Sequence, residues 1–521
     1  MNNNITSVLI FWGIWVILPV AIDGLLTFVY TTFILISKVK NRFRKKPSIP
    51  KKLPMVSVII PAYNEEQNIS TCLNFLKIQT YPHEKMEIIV VDNGSIDDTS
   101  KLVLAHKQEN GSSAKHDDST NHSINKTKIN GKIKFYGRTY QTKEYNGSLH
   151  LITHKKKGKA QALNAGIKKS EGDIIINIDS RAFLDPNAIS EIVKAFNKRK
   201  DMGAATGNIE VNWKLIYQHN PLLGFTLDQN GYLVNKTLSV QESFIAKSQF
   251  LEYLASFHIG RYFLDVSDSM YTMSGAFSAI RREALLKTNL YQDKTVVEDT
   301  HLTLDLGDTQ THVGYVPTAK AYLRPVNNWE RLYSQRIRWR RGQIEVMGMY
   351  YSKLNKKKFS GGRAIMYPLT LVIDHTFAFP RLIWFFILPS LILFGYHINV
   401  VIIAILLMLG FYALLDFFNT GFCYLLSDQN TRGQIRNAFH WIILLPVYRL
   451  ILFFIRVSSY LVVLREEQEW TVQNNLVGKV KKFRLNAKQR LATSPINGLG
   501  KAWFMSKKNL NIQPKSEGKK P

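Results

Sequence analysis

Long apolar segments near both ends of the chain constrain its fold more than any other feature. The first runs from about Leu9 to Ile36, which is long enough to cross a bilayer with some tilt. It lacks a basic amino-terminal flank and a small-residue cleavage site, so we interpret it as an anchor and not a signal peptide. Residues 366–395 and 400–426 are each long enough to span as well. The pattern predicts a multi-pass membrane protein.

The basic flanks predict how these segments are oriented. Residues 38–52 contain eight basic residues and no acid, and residues 479–521 contain twelve basic residues and one acid. The positive-inside rule places both flanks in the cytoplasm, together with the region between the first and second spans. A further apolar run, residues 441–464, contains a proline and two arginines, so a re-entrant or interfacial segment is as consistent with it as a span. Three spans keep the tail inside, whereas a fourth full crossing would put it outside.

Composition narrows the class of partner. The chain has 68 Lys and Arg against 39 Asp and Glu, a net charge of +29, which suits nucleic acid, an anionic membrane or a polyanionic ligand. The apolar runs favour membrane lipids, and we expect no nucleic-acid partner. Cys72 and Cys423 are the two cysteines, and so distant a pair predicts neither a disulfide framework nor a metal cluster.

Residues 55 to about 200 alternate short β-branched strands with helices. Strands are predicted at 55–62, 86–92, 132–137, 148–154 and 173–179, interrupted by a polar, flexible insertion at about 108–132. This alternation predicts an α/β fold with a doubly wound, mostly parallel sheet. Ligands of such sheets bind beyond the carboxyl ends of the strands.

Polar residues follow two of these strands and suit a nucleoside. In the segment PAYNEE, residues 61–66, Tyr63 can stack on a base and Glu65 can bond a ribose or a base edge. Asp92 ends the next strand before a Gly-containing turn. Each segment alone is equally explained as a turn before a helix. Two acidic strand ends about 30 residues apart favour a nucleoside pocket.

Two later positions suit a diphosphate. Gly158 and Lys159 stand at a predicted helix start, where backbone N–H groups and a cation favour phosphate, although a solvated basic helix start explains them as well. Asp179 ends a strongly apolar strand, where a carboxylate is costly unless it is paired or metal-bound.

These segments, in this order, resemble the family 2 glycosyltransferases, whose catalytic domain has the GT-A fold. Three downstream segments resemble the membrane-embedded branch, which includes poly-N-acetylglucosamine, hyaluronan and cellulose synthases: SGAFSAIRR (274–282), VVEDTHLTLDL (296–306) and QRIRW (335–339). The resemblance covers roughly residues 50–350. The amino-terminal FWGIWVILPVAIDG also resembles exosortase-associated glycosyltransferases.

The resemblance implies roles for the later segments. Asp299 matches the family's catalytic base and Glu298 its neighbour, while an N-capping role for Asp299 stays open. Gln335, Arg338 and Trp339 share one helix face by their spacing. The arginine can stabilise a leaving diphosphate, and the tryptophan can form an apolar floor under an acceptor sugar. Arg336, Arg340 and Arg341 are predicted to lie on anionic lipid.

One departure from the family pattern concerns the metal. Family members carry Asp-x-Asp after the Gly-Lys helix, whereas this chain has Asp179-Ser180-Arg181. Three interpretations stay open. Asp179 alone can hold Mg²⁺ or Mn²⁺ with water and substrate oxygens; Arg181 can bind the diphosphate directly; or the chain is a catalytically impaired partner of another transferase.

The resulting expectation is an inverting transferase that moves a sugar from a nucleotide sugar, which we expect to be UDP-linked, onto a growing glycan, forming a β-linkage. Transfer of a single sugar to a lipid carrier is the alternative, and an accessory membrane subunit is a further candidate partner. A transporter is the rival class, but it leaves the large soluble region unexplained. Four regions are expected: an anchor and basic flank (1–52), a cytosolic GT-A domain (53–350), a transmembrane or interfacial region (351–470) and a basic cytosolic tail (471–521).

Overall fold

A computed structural model describes residues 18–42, 50, 52–108, 132–135, 138–141, 145–155, 158–213, 239–355 and 386–465. The predicted flexible insertion, most of the predicted span at 366–395 and the basic tail lie outside these residues.

The strands follow closely the runs predicted from β-branched residues. They are β1 (Val56–Ala62), β2 (Met86–Asp92), β3 (Lys132–Phe135), β4 (Arg138–Gln141), β5 (Ser148–Thr153), β6 (Ile174–Ile178), β7 (Ala182–Leu184), β8 (Met202–Val211), β9 (Phe277–Arg281) and β10 (His312–Leu323). The helices are α1 (Leu18–Arg42), α2 (Ile69–Lys77), α3 (Thr99–Gln108), α4 (Lys159–Lys169), α5 (Ala188–Lys198), α6 (Val240–Ala255), α7 (Tyr262–Val266), α8 (Arg282–Leu285), α9 (Glu298–Asp308), α10 (Trp329–Asn355), α11 (Ile398–Leu426), α12 (Gln429–Ala438) and α13 (Leu445–Arg465). A π-helix, Ser256–Arg261, joins α6 to α7, and 3₁₀ turns occupy His83–Lys85, Leu391–Phe394 and Phe439–Leu444.

Eight strands form one twisted sheet in the order β5-β2-β1-β6-β9-β8-β10-β7. The pairs β5–β2, β2–β1, β1–β6 and β8–β10 are parallel, whereas β9 runs against both of its neighbours and β7 runs against β10. The sheet is therefore mostly parallel, and the predicted α/β fold class is confirmed. Strands β3 and β4 form a separate antiparallel hairpin, so the segment at 132–137 does not join the main sheet.

The centre of the sheet carries the core. Every residue of β2, β6 and β8 is buried, as expected for strands covered on both faces. The chain order reverses between β1 and β6, because β2 and β5 lie on one side of β1 and β6 lies on the other. A crevice at such a switch point is where α/β sheets bind ligands. Ala62 is paired with Asp92, so the carboxyl ends of β1 and β2 are level there.

Three stretches of the described chain are long and apolar enough to cross a membrane: Val20–Lys40, Ile398–Leu426 and Gln429–Val462. The first two confirm predicted apolar segments, and they pack together, with the Tyr412 hydroxyl donating to Asp23 Oδ2 at 3.1 Å. The third includes α13, whose arginines argued against a span. Arg449 Nη2 lies 2.5 Å from Asp416 Oδ1 on α11. This interhelical ion pair gives the arginine a partner that the sequence did not reveal.

A buried ionic cluster attaches α12 to the sheet. Glu210 on β8 is 2% exposed and lies 2.6 Å from Lys320 Nζ on β10. The same lysine lies 3.1 Å from Asp428, which caps α12, and the Thr431 hydroxyl donates to Glu210 at 3.1 Å. On the neighbouring face, the Cys423 thiol of α11 lies 3.8 Å from the Leu254 carbonyl of α6. The apolar helices therefore pack directly on the region that contains the sheet.

Candidate active site

The loops after β1 and β2 are joined side by side. Asn64 adopts a left-handed conformation with φ of 54°, and its Oδ1 accepts the Ile96 N–H at 3.0 Å. Its own N–H donates to Ser95 Oγ at 2.9 Å, and the Glu65 N–H donates to Thr99 Oγ1 at 2.8 Å. The Asn68 and Ile69 N–H groups both donate to the Glu65 carbonyl at 2.9 Å, and α2 begins at Ile69 after this turn. These bonds fix the place where Tyr63, which is half-buried, and Glu65 leave the sheet.

Asp92 belongs to the same edge, but its carboxylate is engaged within the protein. Its Oδ1 accepts the Ser95 N–H at 2.9 Å, and its Oδ2 accepts the Ser100 hydroxyl. The side chain is 4% exposed. It therefore orders the Gly94-containing turn and the start of α3, as the turn interpretation predicts. A direct contact between Asp92 and a nucleoside stays a prediction.

Glu65 and Arg181 form an ion pair that the sequence did not predict. Arg181 Nε donates to Glu65 Oε1 at 2.7 Å, and Arg181 Nη2 lies 2.5 Å from the same oxygen. The Glu65 side chain is 6% exposed, whereas that of Arg181 is 64% exposed. Burial raises the pKa of Glu65 although Arg181 opposes the shift. The pair joins the end of β1 to the turn after β6.

Asp179 lies among cations. Its Oδ1 accepts the Arg181 N–H at 3.1 Å in a tight turn after β6. Burial alone would raise the pKa of Asp179, but the charges of Lys159, Arg181 and Arg338 together hold it below its usual range. The charges of Lys159, Arg181 and Arg338 thus all act on Asp179 at one end of the sheet, and their contact with a donor stays a prediction.

Lys159, at the start of α4, contacts α9 through its ammonium group. Its Nζ lies 2.8 Å from Glu298 Oε1, and the two side chains are 21% and 8% exposed. Burial would lower the pKa of Lys159, but Glu298, Asp179 and Asp299 raise it. The preceding Gly158 has φ of 101°, a conformation that favours glycine and lets the chain turn sharply into α4.

Asp299 is held by backbone N–H groups. Its Oδ2 accepts the Gly275 N–H at 2.8 Å, and its Oδ1 accepts the Thr300 N–H at 2.7 Å. Val297 occupies the N-cap position of α9 without a side-chain cap, so the N-capping role left open for Asp299 is wrong. Burial and the neighbouring Glu298 charge raise the pKa of Asp299, against the opposing effect of Lys159. A fixed carboxylate with a raised pKa is suited to accepting a proton.

The predicted set on α10 is divided between the site and the protein interior. Arg338 is exposed and acts electrostatically on Asp179. The Trp339 ring lies 6.4 Å from that of Tyr253 in a tilted contact, and the Arg336 guanidinium lies 4.6 Å from its centroid. Gln335 Oε1 is buried, and no hydrogen-bond partner is found for it in the described part of the chain.

Two of the arginines predicted to lie on lipid are instead buried, and that prediction is wrong. Arg336 is 9% exposed and its Nη2 lies 2.6 Å from Glu252 Oε2 on α6. The Tyr448 hydroxyl of α13 donates to the same oxygen at 2.8 Å. Arg341 is 1% exposed and its Nε donates to Glu345 at 2.8 Å. The Arg341–Glu345 pair has the i, i+4 spacing of a helix. The partner of Arg336, Glu252, is 84 positions earlier in the sequence, and helix periodicity does not indicate it.

Sequence reasoning also missed Gly275, although the SGAF segment that contains it was recognised. A Cβ built on Gly275 would lie 2.8 Å from Asp299 Oδ2 and 3.2 Å from Lys159 Nζ. The position therefore needs glycine because the loop backbone touches the carboxylate. Its location within a motif was the one signal available for it.

A divalent-metal site with two carboxylates does not fit the residues after β6. Among the described residues, no group of three or more His, Cys, Asp or Glu side chains could hold a metal ion. Glu65 is a carboxylate near enough to Asp179 for the charge of Asp179 to raise its pKa, but Glu65 is already paired with Arg181. The remaining donor is Asp179, and cations act on it from three residues. This chemistry leaves one carboxylate where a resident ion needs several oxygen ligands.

Two family models match the chain. Residues 57–125 match the model "Glycosyl transferase family 2", and residues 141–342 match "Glycosyltransferase like family 2". Together the matches cover more than half of the chain, and they include every site residue described above.

The chain is also similar to curated proteins. It is 22% identical over 324 residues to a poly-beta-1,6-N-acetyl-D-glucosamine synthase of Staphylococcus aureus, covering 62% of this chain and 63% of that protein. It is 26% identical over 309 residues to the probable glycosyltransferase YdaM of Bacillus subtilis, covering 59% and 60%. The chain therefore aligns with less than two thirds of the length of each relative.

Among solved structures, it is similar to the mannosyltransferase PcManGT of Pyrobaculum calidifontis in complex with GDP-Man and Mn²⁺, with 16% identity, coverage of 86% of this chain and 98% of that one, and a TM-score of 0.47. The S. aureus TarS fragment 1–349 with UDP-GlcNAc matches at 15% identity, 56% and 66% coverage, and a TM-score of 0.32. The matched family models span the strand ends and the motifs of α9 and α10, and the chain belongs to glycosyltransferase family 2.

Proposed function

We propose that this chain is an inverting glycosyltransferase that transfers a sugar from a nucleotide sugar to a growing glycan at the membrane. The observation that carries the proposal is Asp299, a half-buried carboxylate held by the Gly275 N–H at 2.8 Å. Its raised pKa suits a general base, and it lies beside the Lys159–Glu298 pair. The backbone of Gly275 approaches this carboxylate so closely that a Cβ at this position would lie 2.8 Å from Asp299 Oδ2.

The proposed reaction is a single displacement. An acceptor hydroxyl gives its proton to the Asp299 carboxylate while its oxygen forms a bond to the anomeric carbon of the donor. The bond between that carbon and the diphosphate oxygen breaks, and its electron pair leaves with the diphosphate. Attack from the opposite face converts an α-linked donor into a β-linked product. Lys159 holds Glu298 in place through the 2.8 Å contact, and the charge of Glu298 raises the pKa of Asp299.

The donor is proposed to bind across the carboxyl ends of β1, β2 and β6. Tyr63 and Glu65 supply a ring and a carboxylate beside the turn that Asp92 orders, which suits a nucleoside. We expect a UDP-linked sugar, and the similarity to a poly-beta-1,6-N-acetyl-D-glucosamine synthase supports an N-acetylglucosamine donor. Arg338 is exposed and its charge acts on Asp179, and we expect it to contact the leaving diphosphate.

The acceptor is proposed to lie against α10. The partly buried Trp339 ring, supported by Tyr253 and Arg336, offers an apolar surface of the kind that sugar rings pack on. The Gln335 carbonyl oxygen can accept a hydroxyl hydrogen from the same acceptor. Direct packing of α10 on α13 favours an acceptor that approaches along the membrane, either a growing glycan or a lipid carrier.

The orientation is proposed to be cytoplasmic for the catalytic region, since its flanks carry the basic clusters. Membrane lipids and an accessory membrane subunit stay proposed partners. A catalytically impaired partner is the alternative that the intact Glu298–Asp299 site opposes.

Asp299→Asn tests the proposal in the full-length chain in purified membranes. The amide cannot accept the proton, so transfer from radiolabelled UDP-sugars should slow by about 10²- to 10⁴-fold while UDP binding is kept. Asp308→Asn, the same change at the far end of α9, is the matched control and should transfer at the wild-type rate. If the Asp299→Asn chain transfers sugar at the rate of the control, the proposal that Asp299 is the base is refuted.

A further inference from the structure

Arg181 presents a guanidinium group that is fixed on one edge and open on the other. Nε and Nη2 both contact Glu65 Oε1, at 2.7 Å and 2.5 Å. A guanidinium carries five N–H donors in a rigid plane, so these contacts use the inner edge and leave the Nη1 hydrogens available. The Arg181 side chain is 64% exposed, so solvent reaches the part of it that Glu65 does not cover.

The backbone also fixes this residue. The Arg181 N–H donates to Asp179 Oδ1 at 3.1 Å, and the Ala182 N–H donates to the Asp179 carbonyl at 2.8 Å. The turn therefore directs the arginine from the end of β6 toward the end of β1, where Glu65 receives it. Two independent anchors, one at the backbone and one at the side chain, hold the charge at the switch point of the sheet.

The charged side chains at this edge of the sheet are already paired with one another, which leaves few free carboxylates for a divalent ion. Lys159 is paired with Glu298, and Arg181 is paired with Glu65. A divalent ion between Asp179 and Glu65 would have to displace the Arg181 guanidinium from a buried carboxylate. An incoming diphosphate, in contrast, would meet the outer edge of a guanidinium, whose planar donors suit two phosphate oxygens at once.

We propose that Arg181, clamped by Glu65, binds the diphosphate of the donor directly, so that donor binding by this chain does not require a divalent cation. The proposal rests on the proposed function for the identity of the ligand as a nucleoside diphosphate. Glu65 is then a positioning residue: it orients the guanidinium, and it leaves the phosphate contacts to Nη1 and the outer Nη2 hydrogen.

The test measures binding of UDP and UMP to the full-length chain in lipid nanodiscs by calorimetry, in EDTA and with added Mn²⁺. Wild-type affinity for UDP should change less than about twofold between the two conditions and should exceed the affinity for UMP in both. Arg181→Asp removes the guanidinium and creates Asp-Ser-Asp. UDP binding in EDTA should weaken by about ten- to hundredfold, the loss of one charge-assisted contact, and should recover with Mn²⁺.

Two further variants separate charge from metal recruitment. Arg181→Gln should lose the preference for UDP over UMP without rescue by Mn²⁺, because it supplies neither a cation nor a carboxylate. Lys200→Asp makes the same charge change as Arg181→Asp in an exposed residue just before β8, at the opposite end of the sheet, and should bind UDP as the wild type does. Thermal melting of each variant verifies that it is folded.

Wild-type UDP binding that disappears in EDTA and returns with Mn²⁺ would overturn the proposal while leaving glycosyl transfer standing. Absence of UDP binding in both conditions would overturn it as well. A wild type that binds UDP without metal yet transfers no sugar would refute the proposed function and support the role of Arg181.

Discussion

Gly275→Ala is a demanding test of the arrangement around Asp299, since it adds one methyl group without removing any functional side chain. The new Cβ would lie 2.8 Å from Asp299 Oδ2, whereas ordinary contact begins at 3.4 Å, so the carboxylate must retreat by about 0.6 Å. A displacement of about 1 Å from a reactive geometry can cost about 10²-fold. We therefore expect transfer to slow by about tenfold or more, or at least ~1.4 kcal/mol in activation free energy.

The assay is initial-rate sugar transfer by purified membranes at saturating donor, with UDP affinity measured in parallel. UDP affinity should change less than the transfer rate, because the methyl group meets the Asp299 carboxylate first and leaves Tyr63 and Glu65 at the end of β1 in place. Gly348→Ala on α10 is the matched control, since a Cβ there would meet nothing within 4 Å. A rate for Gly275→Ala within twofold of this control would refute the conclusion that close backbone contact positions Asp299.

Two further predictions follow from the charge and hydrogen-bond networks. Glu298→Gln removes a charge that raises the pKa of Asp299. The proposed base acts only when it is deprotonated, so activity should rise with pH through that pKa, and the acid limb of the kcat/KM profile of the variant should lie at lower pH. An unmoved limb would contradict this prediction. Tyr448→Phe removes a hydrogen bond to charged Glu252 worth about 1.5–3 kcal/mol, so the thermal unfolding midpoint should fall. In a double-mutant cycle with Glu252→Gln, strictly additive losses would show that the two side chains do not interact.

The fold was predictable where short apolar runs fill both faces of a sheet. β2 runs from Met86 to Asp92, as predicted, because a continuous β-branched run admits few other structures. The pattern gave no indication of which strands run backwards. β9 follows the SGAF loop and enters the sheet against both neighbours, and this direction depends on where the chain returns after α6 and α7. Such a path is a tertiary property and leaves no local periodicity.

The site was predictable as a set of residues and much less as a set of contacts. The positions of Asp179 and Lys159 could be expected from strand ends and a helix start. The ion pairs at the site were not predictable. Lys159 pairs with Glu298, 139 positions later, and Arg181 pairs with Glu65, 116 positions earlier. Ion pairs of this kind depend on three-dimensional placement. For the same reason Arg336 was assigned to lipid, although Glu252 receives it inside the protein.

The attachment of α12 to the sheet has a consequence for how the chain can be divided. Only Ser427 and Asp428 separate α11 from α12, and within one turn Thr431 donates to the buried Glu210. Cutting away the carboxyl-terminal helices would strip that carboxylate of a donor and uncover the α6 surface that Cys423 contacts. The region that contains the sheet and its apolar helices therefore share buried polar contacts. A shortened chain that ends before α12 should lose part of the support of β8 and not fold as an independent module.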